Sequence, residues 1–151
     1  MYTCPTCRRA FASERDSRHW CTDVTVDDVF AKTTDEVVLV FDALLTATAE
    51  WAPNYVGAAK RAVVFFKRKA WLIARPARRW LDVTLFFPER RAEDFVHKIQ
   101  PRYTGRALEH VIRLRAEEEF EEPVLKFLRA AYDDAECGLP SRESARPFTG
   151  R

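Results

Sequence analysis

Three cysteines and one histidine within the first 21 residues have the spacing of metal ligands. They are Cys4, Cys7, His19 and Cys21, in the pattern C-x2-C-x11-H-x-C. Zinc favours four sulfur and nitrogen ligands in a tetrahedron, and a C-x2-C turn places two thiolates on one ion. Because four protein ligands leave no open position on the metal, the pattern predicts a structural zinc ion and not a catalytic one.

Two alternatives to a zinc site remain for these cysteines. One is a redox-active pair at Cys4 and Cys7, but the βαβ pattern typical of thioredoxin-like proteins does not surround them. The other is a set of ordinary free thiols. Cys137, 116 residues after Cys21, is interpreted as an isolated thiol at the end of a helix.

Residues 60–91 form a basic stretch in a chain that is nearly neutral. They include ten basic and two acidic residues, a net charge of +8, whereas the whole chain carries +2. Aromatic residues are interleaved with the cations. Cations neutralise phosphates and exposed rings stack on bases, so the stretch predicts a surface that binds DNA or RNA. Together with arginines of the N-terminal module, the candidate contacts are Arg8, Arg9, Arg18, Lys60, Arg61, Lys67, Arg68, Lys69, Arg75, Arg78 and Arg79.

A purely structural interpretation competes with this one. Aromatic residues that alternate along strands usually form the core, and lysines and arginines at turns are usually solvated. Phe86 departs from the alternation because it shares a strand face with Asp82 and Thr84, which predicts a second, partly covered face of the sheet. The acidic run 117–122 either lies against the basic turns or favours the N-terminus of the helix that follows it.

A candidate ligand pocket consists of Trp71, Trp80 and His110, provided that their side chains converge. His110 falls on the apolar face of a predicted strand, which also fits a hydrogen-bonded core histidine. The sequence contains no G-x-S-x-G nucleophile setting and no glycine-rich phosphate loop. A binding role is therefore favoured over an enzymatic one, and no catalytic residue or organic cofactor is predicted.

Hydrophobic periodicity places these residues on an α+β fold. Apolar residues at helical spacing predict one helix from Asp35 to about Trp51 and another that starts near Pro123. Alternating or β-branched runs predict four strands, at 63–66, 71–74, 81–87 and 108–114. The expected order is helix, four-stranded antiparallel sheet and C-terminal helix, with a short segment at 95–99 left ambiguous.

The predicted organisation has four parts. Residues 1–22 form a small zinc-binding module, 23–34 a linker with one turn of helix, 35–138 the α+β domain and 139–151 a flexible tail. The start of the chain lacks the apolar stretch of a secretory signal. The longest apolar run, 37–45, is far shorter than the ~20 residues of a membrane span. We therefore expect a cytoplasmic protein that has no membrane partner.

Several stretches resemble bacterial proteins in which a zinc-ribbon-like head precedes a domain of unknown function, family 5655. The head corresponds to residues 4–11 with 19–21, and the domain to 40–44, 63–65, 80–85, 110–114 and 127–132. The resemblance implies the α+β fold and the metal site, and it carries no catalytic residues. Two functional classes follow from the whole sequence. One is a zinc-containing nucleic-acid-binding protein, and the other is a protein-interaction or small-ligand-binding module without affinity for nucleic acid.

Overall fold

The computed structural model of the protein describes residues 1–5, 8, 10–14, 24–67, 69–101 and 107–137. The two strands of the N-terminal part are β1 (Tyr2–Thr3) and β2 (Ala10–Phe11). The helices are α1 (Val26–Val29), α2 (Asp35–Thr48) and α3 (Glu122–Cys137). The remaining strands are β3 (Tyr55–Ala58), β4 (Val63–Phe66), β5 (Ala70–Pro76), β6 (Leu81–Phe87), β7 (Val96–Pro101) and β8 (Leu108–Leu114).

Six strands form one antiparallel sheet in the order β3-β4-β5-β6-β8-β7. Four of them make a meander in which each strand pairs with the next along the chain. Strand β8 then lies between β6 and β7. In the register, Leu85 of β6 is paired with Leu72 of β5 on one side and with His110 of β8 on the other. Residues 88–95 cross β8 to reach the outer strand β7, which pairs with β8.

The α+β class is confirmed, but the number of strands differs from the prediction. The four predicted strands correspond to β4, β5, β6 and β8, and the sheet has two more at its edges. Strand β3 was not predicted, and β7 occupies the segment that was left ambiguous. Both are edge strands that pair on one side. They bury fewer side chains than central strands do, and their sequences therefore alternate weakly.

The first residues of each helix are of types that favour a helix start. Thr25 caps α1 in a capping box, because its hydroxyl accepts from the Asp28 N–H and the Asp28 carboxylate accepts from the Thr25 N–H. Thr34 occupies the N-cap of α2 as predicted, although its side chain makes no capping hydrogen bond. Pro123 lies in the first turn of α3, where a missing N–H costs little.

Both long helices cover the same face of the sheet. Val37, Val40, Phe41 and Leu44 of α2 are buried against it. From α3, Val124, Phe127, Leu128 and Ala131 enter the same core, and from β6 the alternate residues Leu81, Val83, Leu85 and Phe87 do so. This burial is the main source of the domain's stability.

The second face of the sheet carries a smaller apolar cluster. Its buried members are Ala59, Ala62, Val64 and Ile73, and Phe66, Ala70 and Phe86 pack against them. The partly covered second face that the position of Phe86 predicted is therefore confirmed. Outside this cluster the face is polar and carries Arg75, Asp82 and Arg113 in register across three strands.

Residues 26–30, which were assigned to a linker, pack on the domain. Phe30 is buried in the main core beside Phe41, with ring centroids 4.6 Å apart, and Val26 and Val29 pack against the same core. The predicted tail at 139–151 lies outside the described residues. Within the described part of the chain, none of the helices combines the length and the apolar composition needed to cross a membrane.

Candidate nucleic-acid interface

The sheet topology divides the basic stretch between two opposite ends of the sheet. In an antiparallel meander successive turns lie at alternate ends, so the β3–β4 turn (59–62) and the β5–β6 turn (77–80) share one end. The last residue of β8, Leu114, is paired with Leu81 at that same end. We call the exposed cations gathered there the basic end: Lys60, Arg61, Arg78, Arg79 and Arg115.

Both turns of the basic end are closed by hydrogen bonds. The N–H of Ala59 donates to the carbonyl of Ala62 over 2.7 Å, and the N–H of Ala77 donates to the carbonyl of Trp80 over 2.8 Å. The carbonyl of Arg78 also accepts from the N–H of Thr34, over 2.9 Å, which joins the second turn to the start of α2. The backbone that carries these cations is therefore held in a defined position.

The cations of the basic end make no ion pair within the described part of the chain. Elsewhere several cations are paired: Arg91 with Glu89 and Asp134, Lys126 with Glu122, and Arg129 with Asp133. Arg115 lies near the ring of Trp80, 5.9 Å from its centroid, without a carboxylate partner. The basic end thus presents five exposed cations that form no ion pair with a described carboxylate, with the acidic turn Glu117–Glu119 following Arg115.

Lys67 does not belong to an exposed surface, in contrast to its place among the candidate contacts. It is only 7% exposed, its Nζ donates to the Tyr132 carbonyl over 2.8 Å, and it lies 3.7 Å from the centre of the Tyr132 ring. Burial with a carbonyl partner makes this lysine a link between the β4–β5 turn and α3. Lys69 is half-buried in the same turn, at the other end of the sheet from the basic end, and Arg68 lies outside the described residues.

Beside the basic end, on the second face of the sheet, Arg113 is held by two neighbours. Its Nε and Nη2 donate to the two carboxylate oxygens of Asp82 over 2.9 and 3.2 Å. Its guanidinium carbon lies 4.4 Å from the centre of the Trp80 ring. The hydrogen bond to Asp82 raises the pKa of Arg113 above its usual value. On the other side of Asp82 in the register, Arg75 donates to the hydroxyl of Thr84 over 3.4 Å.

Sequence reasoning did not include Asp82, Arg113 and Arg115 in the candidate interface. The alternation of β8 already put Arg113 and Arg115 on its polar face, together with Glu109 and Val111. The sequence does not reveal the pairing register of β6 and β8, in which Arg113 lies directly opposite Asp82. That pairing depends on β8 lying next to β6.

The candidate pocket residues occupy two ends of the sheet. Trp71 is 1% exposed, donates its Nε1–H to Asn54 Oδ1 over 3.0 Å, and packs edge-on against Phe65 and Tyr132. Trp80 immediately precedes β6 at the basic end, whereas His110 pairs with Leu85, five residues after Trp80. At about 3.3 Å per strand residue, Trp80 and His110 lie far apart along the strand direction.

His110 is a hydrogen-bonded core residue. Its Nε2 accepts from the N–H of Arg91 over 2.9 Å, which places the proton on Nδ1, and Nδ1 donates to the Leu108 carbonyl over 3.1 Å. Burial holds the pKa of His110 below its usual value, and the charges of Arg91 and Arg90 lower it further. The neutral ring therefore fixes the segment that crosses β8, and the interpretation of His110 as a core histidine is confirmed.

Of the predicted metal ligands, the described residues include Cys4 alone. Cys7, His19 and Cys21 lie outside them, as do Arg9 and Arg18, and Arg8 is exposed. Cys4 is buried and directly follows β1, which pairs with β2. The carbonyl of Cys4 accepts from the N–H of Arg8 over 2.9 Å, and Arg8 has a φ of 60°. Among the residues that the structure describes, no three potential ligands are clustered.

The acidic run 117–122 makes local contacts at the start of α3. Residues Glu117–Glu119 form a 3₁₀ turn, and the Glu119 carboxylate accepts from the N–H groups of Arg115 and Ala116. Glu122 pairs with Lys126 one turn further along the helix. In the described part of the chain no carboxylate of the run pairs with a side chain of the basic end.

Comparison with known proteins identifies the domain but gives no activity. A family model described as a domain of unknown function, DUF5655, matches residues 26–135, which extend from α1 into the last turns of α3. A search of curated proteins found no match, and a search of solved structures found none either. The basic end and the Asp82–Arg113 pair both fall within the matched residues.

Proposed function

The chain belongs to the DUF5655 family, and since that family has no assigned activity, we propose from the site itself that the protein binds nucleic acid. In this proposal the basic end contacts the phosphate backbone of DNA or RNA. The protein acts as a binding component and does not catalyse a reaction. Its affinity comes mainly from phosphate neutralisation and is therefore independent of base sequence.

The observation that carries the proposal is the convergence of cations from three separate segments on one end of the sheet. Two hydrogen-bonded turns and the residue after β8 supply them, and none of these side chains forms an ion pair with a described carboxylate. Neighbouring strands are ~4.8 Å apart, so the two turns are separated by about two strand spacings. Such spacing lets the cations contact more than one phosphate of a nucleic-acid backbone without crowding one another.

Reversing two charges at the basic end should weaken nucleic-acid binding. The variant Arg78→Glu/Arg79→Glu is expected to lose at least about tenfold in affinity for single-stranded DNA, duplex DNA or RNA. The affinity is measured by fluorescence anisotropy at about 50 and 200 mM salt, and the wild-type protein should bind much more weakly at the higher salt.

The matched control is Lys69→Glu/Arg90→Glu, which reverses two charges at the other end of the sheet. Both double variants change the net charge from +2 to −2, so they differ only in the location of the change. The control should retain affinity to within about threefold. Equal losses in both variants, or no binding by the wild-type protein at low salt, would contradict the proposal.

A protein-interaction module is the second candidate, because large apolar side chains are exposed in two places. Val38 and Leu39 are exposed on α2, and Tyr55 and Val56 on the edge strand β3. An exposed edge strand with apolar side chains is suited to pairing with another chain. Tyr55→Thr/Val56→Thr, which adds no charge, would weaken such an interaction and leave the binding of nucleic acid intact.

We also propose a structural zinc ion held by Cys4, Cys7, His19 and Cys21. Cys4 is consistent with this, because it is buried directly after β1, within the small N-terminal segment. The metal would supply the folding free energy that so short a segment cannot obtain from an apolar core. The donor set of three thiolates and one imidazole fits zinc.

Metal analysis of untagged protein is expected to find about one equivalent of zinc. Removal by a chelator should expose the N-terminal arginines to trypsin while residues 26–135 resist cleavage, because only the small module depends on the metal. Cys4→Ser should release the zinc, and Cys137→Ser, outside the predicted ligand set, should retain it. Less than about a tenth of an equivalent in the wild-type protein, with no effect of the chelator, would exclude the site.

A further inference from the structure

Arg113 is held more firmly than the other cations near the basic end. Asp82 binds it side-on through Nε and Nη2, and Trp80 supports the flat face of the guanidinium at 4.4 Å. Asp82 and Arg113 are also cross-strand partners, so the backbone itself brings the two side chains together. An arginine fixed in this way loses little side-chain entropy when it binds a ligand.

The side-on pair leaves the other edge of the guanidinium available. Nη1 makes no hydrogen bond with any residue that the structure describes, and the Arg113 side chain is 25% exposed. The Nη1 and Nη2 groups form a planar fork with two parallel N–H donors. Such a fork matches two oxygens of one phosphate, which a lysine ammonium cannot do with the same geometry.

The surroundings of Asp82 argue against a purely structural ion pair. In the register, Asp82 lies between Arg113 on β8 and Arg75 on β5, so one carboxylate has a cation on each side of it on this face. Trp80 provides the second argument. Its Nε1–H is buried without a hydrogen-bond partner within the described part of the chain, whereas its ring supports Arg113 and lies near Arg115. The contacts of Trp80 with Arg113 and Arg115 are therefore made by its ring and not by its indole N–H.

We propose that Arg113 binds one backbone phosphate through two hydrogen bonds, and that Asp82 and Trp80 position it to do so. This inference rests on the proposed function, because the phosphate belongs to the nucleic acid that the basic end attracts. The cations of the basic end supply charge without fixed geometry, whereas Arg113 supplies a contact of fixed direction. Asp82 is a positioning residue that does not itself touch the ligand.

Two variants separate this role from general attraction. Asp82→Asn removes a negative charge beside a basic surface, so attraction alone predicts tighter binding. Loss of the positioning carboxylate instead predicts weaker binding, by about threefold or more. Arg113→Lys keeps the charge and loses the fork, and it is expected to weaken binding about five- to tenfold.

The control is Arg90→Lys, a change of the same chemistry at an exposed arginine outside the basic end, which should alter affinity by less than about twofold. Affinities for oligo(dT), oligo(dA) and mixed-sequence RNA are measured by anisotropy, and thermal unfolding of each variant establishes that it is folded. Equal losses on all three probes support a phosphate contact. A loss confined to guanine-containing RNA would overturn it in favour of base recognition.

The outcomes also separate this inference from the proposed function. If the wild-type protein binds, and Arg113→Lys and Asp82→Asn both bind as well as it does or better, the basic end remains the interface and the role of Arg113 is excluded. If the wild-type protein binds none of the probes, both proposals fail. Should Asp82→Asn fail to fold, the comparison of Arg113→Lys with Arg90→Lys decides alone, because Arg113→Lys leaves the carboxylate and the charge in place.

Discussion

Trp71→Ala is expected to lower the free energy of unfolding by about 3–5 kcal/mol, because it removes the largest fully buried side chain of the core. The indole packs against Trp51, Phe65 and Tyr132 with ring centroids 5.2–5.9 Å away. Its loss leaves a cavity that three rigid rings cannot fill by small shifts. It also leaves the amide oxygen of Asn54 without its indole donor. Urea denaturation followed by circular dichroism measures the change.

The control for this prediction is Tyr55→Ala, which truncates an aromatic side chain that is 66% exposed on an edge strand. It should change the free energy of unfolding by less than about 1 kcal/mol. A loss below about 1.5 kcal/mol for Trp71→Ala would mean that the aromatic cluster is packed loosely, in conflict with the structure.

The second large effect concerns His110 and pH. The pKa of His110 is lowered in the folded protein, mainly by burial, from an ordinary value of 6.5. At pH values between the folded pKa and the unfolded pKa of His110, the unfolded chain binds more protons than the folded protein does. The contribution of neutral His110 to stability is therefore complete above the unfolded pKa and is lost as the pH falls below it. Protonation of Nε2 would also set an N–H against the donating N–H of Arg91. Wild-type protein should therefore unfold at lower urea concentrations as the pH decreases from about 7.5 to 5.

Replacing His110 tests this assignment. His110→Leu should cost about 1–3 kcal/mol at neutral pH, because it leaves the Arg91 N–H unsatisfied near the core, and it should flatten the dependence of stability on pH between about 7.5 and 5. His97→Gln removes an exposed histidine from β7 and should leave both the stability and the pH dependence unchanged. An unchanged pH dependence in His110→Leu would assign the effect to other groups.

Much of the fold could be predicted from hydrophobic pattern alone. Strands β4, β5, β6 and β8 and both long helices show clear periodicity, because each buries one face or stripe in the main core. Strand β3 was missed because Gly57 and Ala58 carry little strand preference and Pro53 lies just before it. Strand β7 mixes His97, Lys98 and Gln100 with its apolar residues, since as an edge strand it is covered on one side by β8.

The sequence predicts the basic composition of the candidate site but not the arrangement of its cations in space. Residues 60–91 are continuous in sequence, yet alternate turns of the meander lie at opposite ends of the sheet, so Lys69 is separated from Arg78 and Arg79. Cations distant in sequence join them instead, namely Arg113 and Arg115 from β8. The burial of Lys67 could not be predicted either, because its hydrogen-bond partner is a backbone carbonyl 65 residues further along the chain.

The insertion of β8 between β6 and β7 constrains the order in which the chain can fold as it leaves the ribosome. Strand β7 emerges before the strand that it pairs with, and until β8 arrives β6 has an unpaired edge at the centre of the future sheet. Unpaired edges recruit other chains, so a nascent chain stopped before Leu108 is prone to aggregate. A fragment able to close the sheet must therefore extend at least through Leu114, and it needs α3 to cover the apolar face.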